Sequence, residues 1–337
     1  MGMLRRSLCV ASALSVGLTA CSALADLRPS QYFANAALSI DGLGVRGSGT
    51  GQLQANIPSG SSILGAYLYT SSIWGATFVS PGIVFPVRLN GTLLTPSAGT
   101  LLRPDVNPVN TIRYDVTNIV SSAIQGGPGG LYNFNLQETG DNEGSVLVIA
   151  YRNAATQGRS ALIYDGELAT TGDTTRLNFA SPYTGGNLIM SLASSYSAQP
   201  SGQFTQIDVR TSNNPVARRL TTSAGGPDDG LFANGALITV GGIGDSPTNP
   251  DPFAIPFDGP RVDDEYYNLA LGNSADANPF ITPGDTWAEL ITINPSNDDN
   301  VFGVFISADF MIDNPIPTPG AAALLGLGGL LASRRRR

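Results

Sequence analysis

Ser145-Val146-Leu147-Val148-Ile149-Ala150-Tyr151 is the stretch on which the fold turns. A continuous apolar run of strand length, bounded by polar residues, suits a strand buried in a sandwich core. Ser160-Ala161-Leu162-Ile163-Tyr164 follows across a polar loop, and Asp165-Gly166 ends it. Upstream, Ile63-Leu64-Gly65-Ala66-Tyr67-Leu68-Tyr69-Thr70 also has strand length, with Pro58-Ser59-Gly60 before it and Ser71-Ser72 after it. Residues 84–89 lead through Asn90-Gly91 into Thr92-Leu93-Leu94. That is a strong hairpin signal, because both turn positions tolerate positive φ.

Further strands are expected at residues 188–192, 204–209, 236–240, 286–293 and 301–311. One short helix is expected over 116–124, with Asp115 as its N-cap and Gly126 as its stop. Strands separated by turn chemistry, without amphipathic helices between them, predict an all-β protein: an antiparallel β-sandwich or jelly roll. No repeat with a period of about 20–50 residues is visible, which disfavours propellers and solenoids. Residues 26–312 read as one sandwich body, with a division near residue 165 as the alternative. The Gly-, Pro- and Asp-rich stretch 223–261 reads as a long functional loop or a boundary.

Composition narrows the chemistry. Of 337 residues, 40 are Gly and 23 are Pro, and only 13 % are charged. There is no His, and all 18 basic residues are Arg. Without His there is no Ser-His-Asp relay and no His-ligated metal; without Lys there is no Schiff base and no P-loop lysine. The net charge of −8 disfavours nucleic acid as a partner. The expectation is therefore a protein that is not an enzyme.

Both ends carry addresses. Residues 1–25 have the form of a secretory signal: Arg5 and Arg6, an apolar stretch over 8–20 predicted as a helix, then Ala23-Leu24-Ala25 before Asp26. Ala23 and Ala25 are the small residues a signal peptidase needs. A second cut is conceivable at Leu18-Thr19-Ala20-Cys21, which has lipobox form. Cleavage after Ala25 removes Cys9 and Cys21, so disulfides cannot hold the mature body. The other end, 313–337, has Pro317-Thr318-Pro319, an apolar run over 321–332, and then Arg334, Arg335, Arg336 and Arg337. As a helix at about 1.5 Å per residue, that run falls short of about 30 Å of hydrocarbon. The arginines should stay cytoplasmic, so it reads as a short transmembrane stop-transfer helix.

This tripartite tail resembles the PEP-CTERM sorting signal of exosortase substrates, with Thr318 where the name-giving pattern has Glu. The resemblance covers the last tenth of the chain. It implies that an exosortase-like membrane protease removes the tail during export to the cell surface. Removing Arg5, Arg6 and Arg334 to Arg337 leaves 18 − 6 = 12 basic residues against 26 acidic ones, so the exported body stands near −14. A second resemblance spans residues 57–166, where "IPSGSSILGAYLYTSSIWG", "VRLNG", "YDVTNIV", "GSVLVIAYRN" and "ALIYDG" follow in order. These are similar to an uncharacterised β-domain of bacterial and archaeal secreted surface proteins, which implies no activity for any residue.

Clustered acidic residues supply the one cofactor expectation, Ca²⁺. Asp245, Asn249 and Asp251, then Asp263, Asp264 and Glu265, then Asp298 and Asp299, place oxygens at close spacing, as a hard cation needs. None of these stretches has the spacing of an EF-hand loop, and Asp and Asn are also natural turn formers. Glu138, Asp141 and Glu143 read as a solvated hairpin loop rather than a glycosidase pair. Tyr67/Tyr69 and Tyr266/Tyr267 are candidates for stacking on sugars, with core packing favoured for Tyr67 and Tyr69. Two functions remain: a structural or adhesive protein of the cell surface or matrix, or a secreted carbohydrate-binding or carbohydrate-cleaving protein. The partners implied are signal peptidase, an exosortase-like protease and a surface polysaccharide.

Overall fold

The computed structural model describes residues 27–44, 49–72, 85–102, 110–140, 142–166, 168, 172–195, 205–224, 238–249, 251–253, 265–293 and 300–315. Strand β1 (Arg28–Ala34) is followed by β2 (Ala37–Gly44), β3 (Gly49–Ile57), β4 (Ser62–Ser72), β5 (Val87–Leu89), β6 (Thr92–Leu94) and β7 (Thr100–Leu102). Then come β8 (Asn110–Asp115), the helix α1 (Thr117–Ile124), β9 (Gly130–Glu138) and β10 (Asn142–Arg152). The second half holds β11 (Ser160–Asp165), β12 (Thr174–Asn178), β13 (Leu188–Ser195), β14 (Thr205–Thr211) and β15 (Arg218–Ala224). It ends with β16 (Ile238–Val240), β17 (Tyr266–Asn268), β18 (Trp287–Ile293) and β19 (Asn300–Ala308).

These strands make four antiparallel sheets. In the first half the orders are β2-β10-β4-β8-β7 and β3-β9-β5-β6; in the second they are β1-β11-β19-β13-β16 and β12-β18-β14-β15, with β17 also paired to β13. Set aside β1, β7 and β17, and the two halves have the same order strand for strand: β2-β10-β4-β8 corresponds to β11-β19-β13-β16, and β3-β9-β5-β6 to β12-β18-β14-β15. Eight strands in two four-stranded sheets, in this order, define a jelly roll. The chain therefore folds as two jelly rolls in tandem.

Side-chain alternation sets the layering. On β10, Leu147 and Ile149 enter the core shared with Leu53, Phe134 and Leu136 of the first roll. Val146 and Val148 point the other way, into a core that also holds Ile163, Ile238, Phe302 and Phe305 of the second roll. Leu162 and Tyr164 of β11 face a third core with Leu188, Val209 and Leu290. The β10 and β11 sheets are thus inner layers, buried on both faces, and this is why their strands read as unbroken apolar runs. Tyr69 lies in the central core with ring centroids 5.8 Å from Phe302 and 5.5 Å from Phe305.

Local signals behave as their chemistry requires. Asn90 and Gly91 have φ of 47° and 79°, the left-handed pair of a tight hairpin between β5 and β6. The helix starts at Thr117, and Asp115 Oδ1 accepts from the Thr117 amide at 2.9 Å, two residues on rather than as the assigned cap. Gly126, at φ 74°, ends the helix as expected. β3 begins at Gly49, within a Gly-rich stretch. A Cβ on Gly51 would lie 2.2 Å from Leu43 Cδ2, so the glycine admits a core side chain across the roll. Gly51→Val is expected to destabilise by about 1–3 kcal/mol through overpacking, read as a lower denaturant midpoint at unchanged slope.

The free edge of β3 is covered from within. The Gln54 amide donates to Asp41 Oδ2, and the Asn56 amide donates to Ser39 Oγ at 2.9 Å, both acceptors standing on β2. An exposed edge that recruits other chains is thereby closed. β1 belongs to the second roll although the first follows it in sequence: Ala34 pairs with Ser160, and Arg28 with Asp165. The signal segment 1–25 and the sorting tail from residue 316 onward, with both predicted terminal helices, lie outside the described residues. No helix among the described residues is long and apolar enough to cross a membrane.

Candidate binding groove between the two rolls

Where the first roll meets the second, a groove of about 370 Å³ opens along the seam. β2 and β3 give it Ser39 and Asn56, and Tyr151 comes from the end of β10. The second roll contributes Arg159, Asn187, Tyr266, Ser307 and Asp309. Its volume lies within the range of about 300–1,000 Å³ usual for ligand sites, and seams between folded units are a preferred place for them. One wall is rigid. Arg159 Nη2 pairs with Asp309 Oδ1 at 3.2 Å, and Asp309 Oδ2 accepts from Asn187 Nδ2 at 2.8 Å and from the Asn187 amide at 3.1 Å. Asn268 Nδ2 then donates to Asn187 Oδ1 at 2.9 Å, fixing which way that side chain points. Burial pushes the Tyr151 hydroxyl above its ordinary value, and Arg159 partly offsets this.

A buried polar clasp joins the rolls deeper in the seam. Asp165, at the end of β11, is in an ion pair with Arg113 of β8. Its Oδ2 also accepts from Tyr69 Oη at 2.8 Å and from Ser30 Oγ at 2.9 Å. Burial first, then the Asp165 carboxylate, hold the Tyr69 hydroxyl well above the usual phenol range. Tyr67 lies under Arg113, whose guanidinium carbon is 5.8 Å from the ring centroid. Tyr67 and Tyr69 are 8 % and 0 % exposed, so both are core residues rather than sugar platforms.

The acidic trio read as a solvated loop requires correction. Glu138 ends β9 and Glu143 lies within β10; both are buried, at 2 % and 1 % exposure, while Asp141 lies outside the described residues. Cross-strand pairing explains the burial, since Glu138 sits opposite both Gly49 of β3 and Val87 of β5, inside the first roll. Its Oε1 accepts from Ser145 Oγ at 2.9 Å, and Ser145 Oγ lies 3.0 Å from Thr70 Oγ1. Burial raises the Glu138 carboxyl to about 8, against a weaker opposing effect of the Ser145 hydrogen bond. It is therefore a neutral acid in neutral solution.

The acidic loops divide. Asp263, Asp264, Asp298 and Asp299 lie outside the described residues. Asp245 Oδ2 accepts from the Gly242 amide at 2.6 Å, and Asp251 Oδ1 accepts from the Phe253 amide at 2.9 Å, both local turn contacts. Asn249 has its amide in the protein: Nδ2 donates to the Asn268 and Gly272 carbonyls at 2.9 and 3.0 Å, while Oδ1 accepts from the Asn268 amide at 2.8 Å. Its φ of 52° is a left-handed turn that Asn tolerates. Glu265 is fully buried beside β17. Among the described residues, no group of three or more acidic or thiol side chains is arranged to hold a metal. Asn249→Ala is expected to cost about 1–3 kcal/mol by leaving the buried Asn268 amide and several carbonyls unsatisfied, measured by chemical denaturation. Of the predicted aromatic pair, Tyr267 is buried and Tyr266 lines the groove. Arg159, Asn187 and Asp309 carry no signal in sequence.

Strand order gives the chain its fold, two jelly rolls in tandem, and a polar groove lies at the seam between them. Among solved structures, the chain is similar to the major capsid protein P2 from bacteriophage PM2 at 13 % identity, over 81 % of this chain and 97 % of that one, with a TM-score of 0.18. A score that low carries no argument about fold or function. No protein-family model matches the chain, and no curated protein does.

Proposed function

We propose that this chain is an exported cell-surface or extracellular-matrix protein of structural or adhesive type, processed at its C-terminal tail. The observation that carries the reading is the succession, in sequence, of Pro317-Thr318-Pro319, an apolar run and four arginines, together with the signal at the other end. The body supports it through where its ionic groups go. Asp165 is paired with Arg113, and Glu289 is held between Arg176 at 2.9 Å and Arg210 at 2.5 Å, ties that brace sheets rather than face a reacting centre. Burial pushes Glu289 up, yet hydrogen bonds from the two arginines prevail and hold it below its ordinary value.

Replacing Arg334, Arg335, Arg336 and Arg337 with Ser is expected to leave unprocessed precursor away from the surface. Normal processing and location in that variant would sink the reading. Ca²⁺ belongs to the same proposal as the ion of the acidic loops. At about a hundred times its dissociation constant, a ligand of the folded state alone adds about 2.7 kcal/mol, or a few degrees of melting temperature. Melting should rise with Ca²⁺ and fall with chelator; indifference to both would leave those loops as turns.

A further inference from the structure

We infer that the seam groove is a binding site for a neutral polysaccharide, held by Tyr151 and Tyr266 and by hydroxyl and amide groups from both rolls. The inference rests on the surface-protein reading and deepens it by naming what the surface holds. Three observations converge on this ligand class.

The first is the donor inventory. Ser39 Oγ already accepts from the Asn56 amide at 2.9 Å, and Ser307 Oγ already accepts from the Leu38 amide at 3.2 Å. Each serine oxygen is thus fixed in place by a backbone donor, and among the described residues neither hydroxyl proton has an acceptor. A hydroxyl is donor and acceptor at once, so among the described residues both protons remain to be offered to a ligand oxygen, Ser39 from a largely buried position. The exposed Asn56 side chain adds an amide that can both donate and accept, and among the described residues it is not hydrogen-bonded. Ligands made of hydroxyls that give and take hydrogen bonds suit this set.

The second is charge. Arg159 and Asp309 cancel each other across 3.2 Å, and Asn187 holds the same carboxylate in place. The paired charges leave this wall without net charge, so it gives a uronate or sulfate no electrostatic advantage, whereas a neutral sugar can bridge both partners without disturbing the pair. The third is shape: two tyrosines, one from each roll, line the groove. Aromatic rings offer apolar faces with a polar tip, and the C–H faces of a pyranose are apolar between rings of hydroxyls.

The test uses the full-length protein on a glycan array carrying cello-, manno- and galacto-oligosaccharides beside uronate and sulfated oligomers. Titration calorimetry with the best neutral oligomer then follows. Asn56→Asp places a charge at an exposed position in the groove, and Tyr266→Ala removes a ring. Gln52→Asp, on the outer face of β3, is the control. Binding to a neutral oligomer is expected, weakened at least tenfold by each groove variant and unchanged by Gln52→Asp, with Asn56→Asp melting like the parent. The proposal is overturned by failure to bind any neutral oligomer, by binding that Asn56→Asp leaves intact, or by preference for the anionic series. Normal surface location without glycan binding overturns the groove alone; lost location with glycan binding retained overturns the surface reading alone.

Discussion

Glu138→Gln is expected to remove most of the pH dependence of stability between about 4.5 and 8, the span between the carboxyl's ordinary value and its value inside the first roll. In the folded protein the buried acid keeps its proton through this range, while the unfolded chain releases it. Unfolding then liberates one proton, so stability is full below the ordinary value and is lost as pH rises toward about 8. At about 1.4 kcal/mol per pH unit, the loss reaches on the order of 4–5 kcal/mol and levels off above that range. Gln keeps the shape and the acceptor for Ser145 but has no proton to lose. Denaturant melts at about pH 5 and about pH 9 should separate wild type from variant at the alkaline end only. Parallel decline of the two proteins would mean that another group sets the slope.

Asp165→Ala should be the most damaging single change in the seam. It leaves the Arg113 guanidinium, with 18 % of its side chain exposed, without its counter-charge, strips Tyr69 of its acceptor, and leaves Ser30 only the Ile163 carbonyl at 3.2 Å. Removing one partner of a buried pair costs about 3–5 kcal/mol, mostly for the stranded charge. Because Arg113 and Tyr69 stand on the first roll and Asp165 and Ser30 on the sheet of the second, the loss falls on their mutual packing. A calorimetric trace should move down and split into two transitions. The double variant Arg113→Met/Asp165→Leu should recover much of the midpoint, since apolar replacement of a buried pair is often neutral. If the double variant is no better than Asp165→Ala, the clasp acts through its hydrogen bonds rather than through charge.

What the sequence discloses follows from burial. β4, β10 and β11 are legible because inner sheets are apolar on both faces, so their strands stand out as runs. β3 and β9 are not. Gln52, Gln54, Asn133 and Asn135 face solvent, in residue types that strands disfavour, and the alternation is masked by Gly49 and Gly51. Glu138 misleads for a related reason: beside Thr139, Gly140 and Asp141 it has the look of a turn, and only its pairing with distant β3 and β5 puts it inside. The duplicated topology leaves no trace, since β10 and β19 do the same job with different side chains, Val146 and Val148 in one and Phe302 and Phe305 in the other. The groove is assembled from residues spread between Ala37 and Asp309, and no local motif could announce it.

The pairing of β1 with β11 has a mechanical meaning. Tyr32 Oη donates to the Ile312 carbonyl at 3.0 Å, and Ile312 also bridges to Phe179, so both ends of the described chain are fastened into the second roll. The chain passes from β1 to the first roll and returns to β11 at one point, where the Asn35 amide donates to the Arg159 carbonyl at 2.8 Å. Tension applied between residues 28 and 312 runs across β1, β11 and β19 and bypasses the first roll until the β1–β11 ladder tears. A molecule strung between a cell and its surroundings by these two ends would carry the load through the second roll, leaving the backbone of the first, with its half of the groove, off the direct line of force.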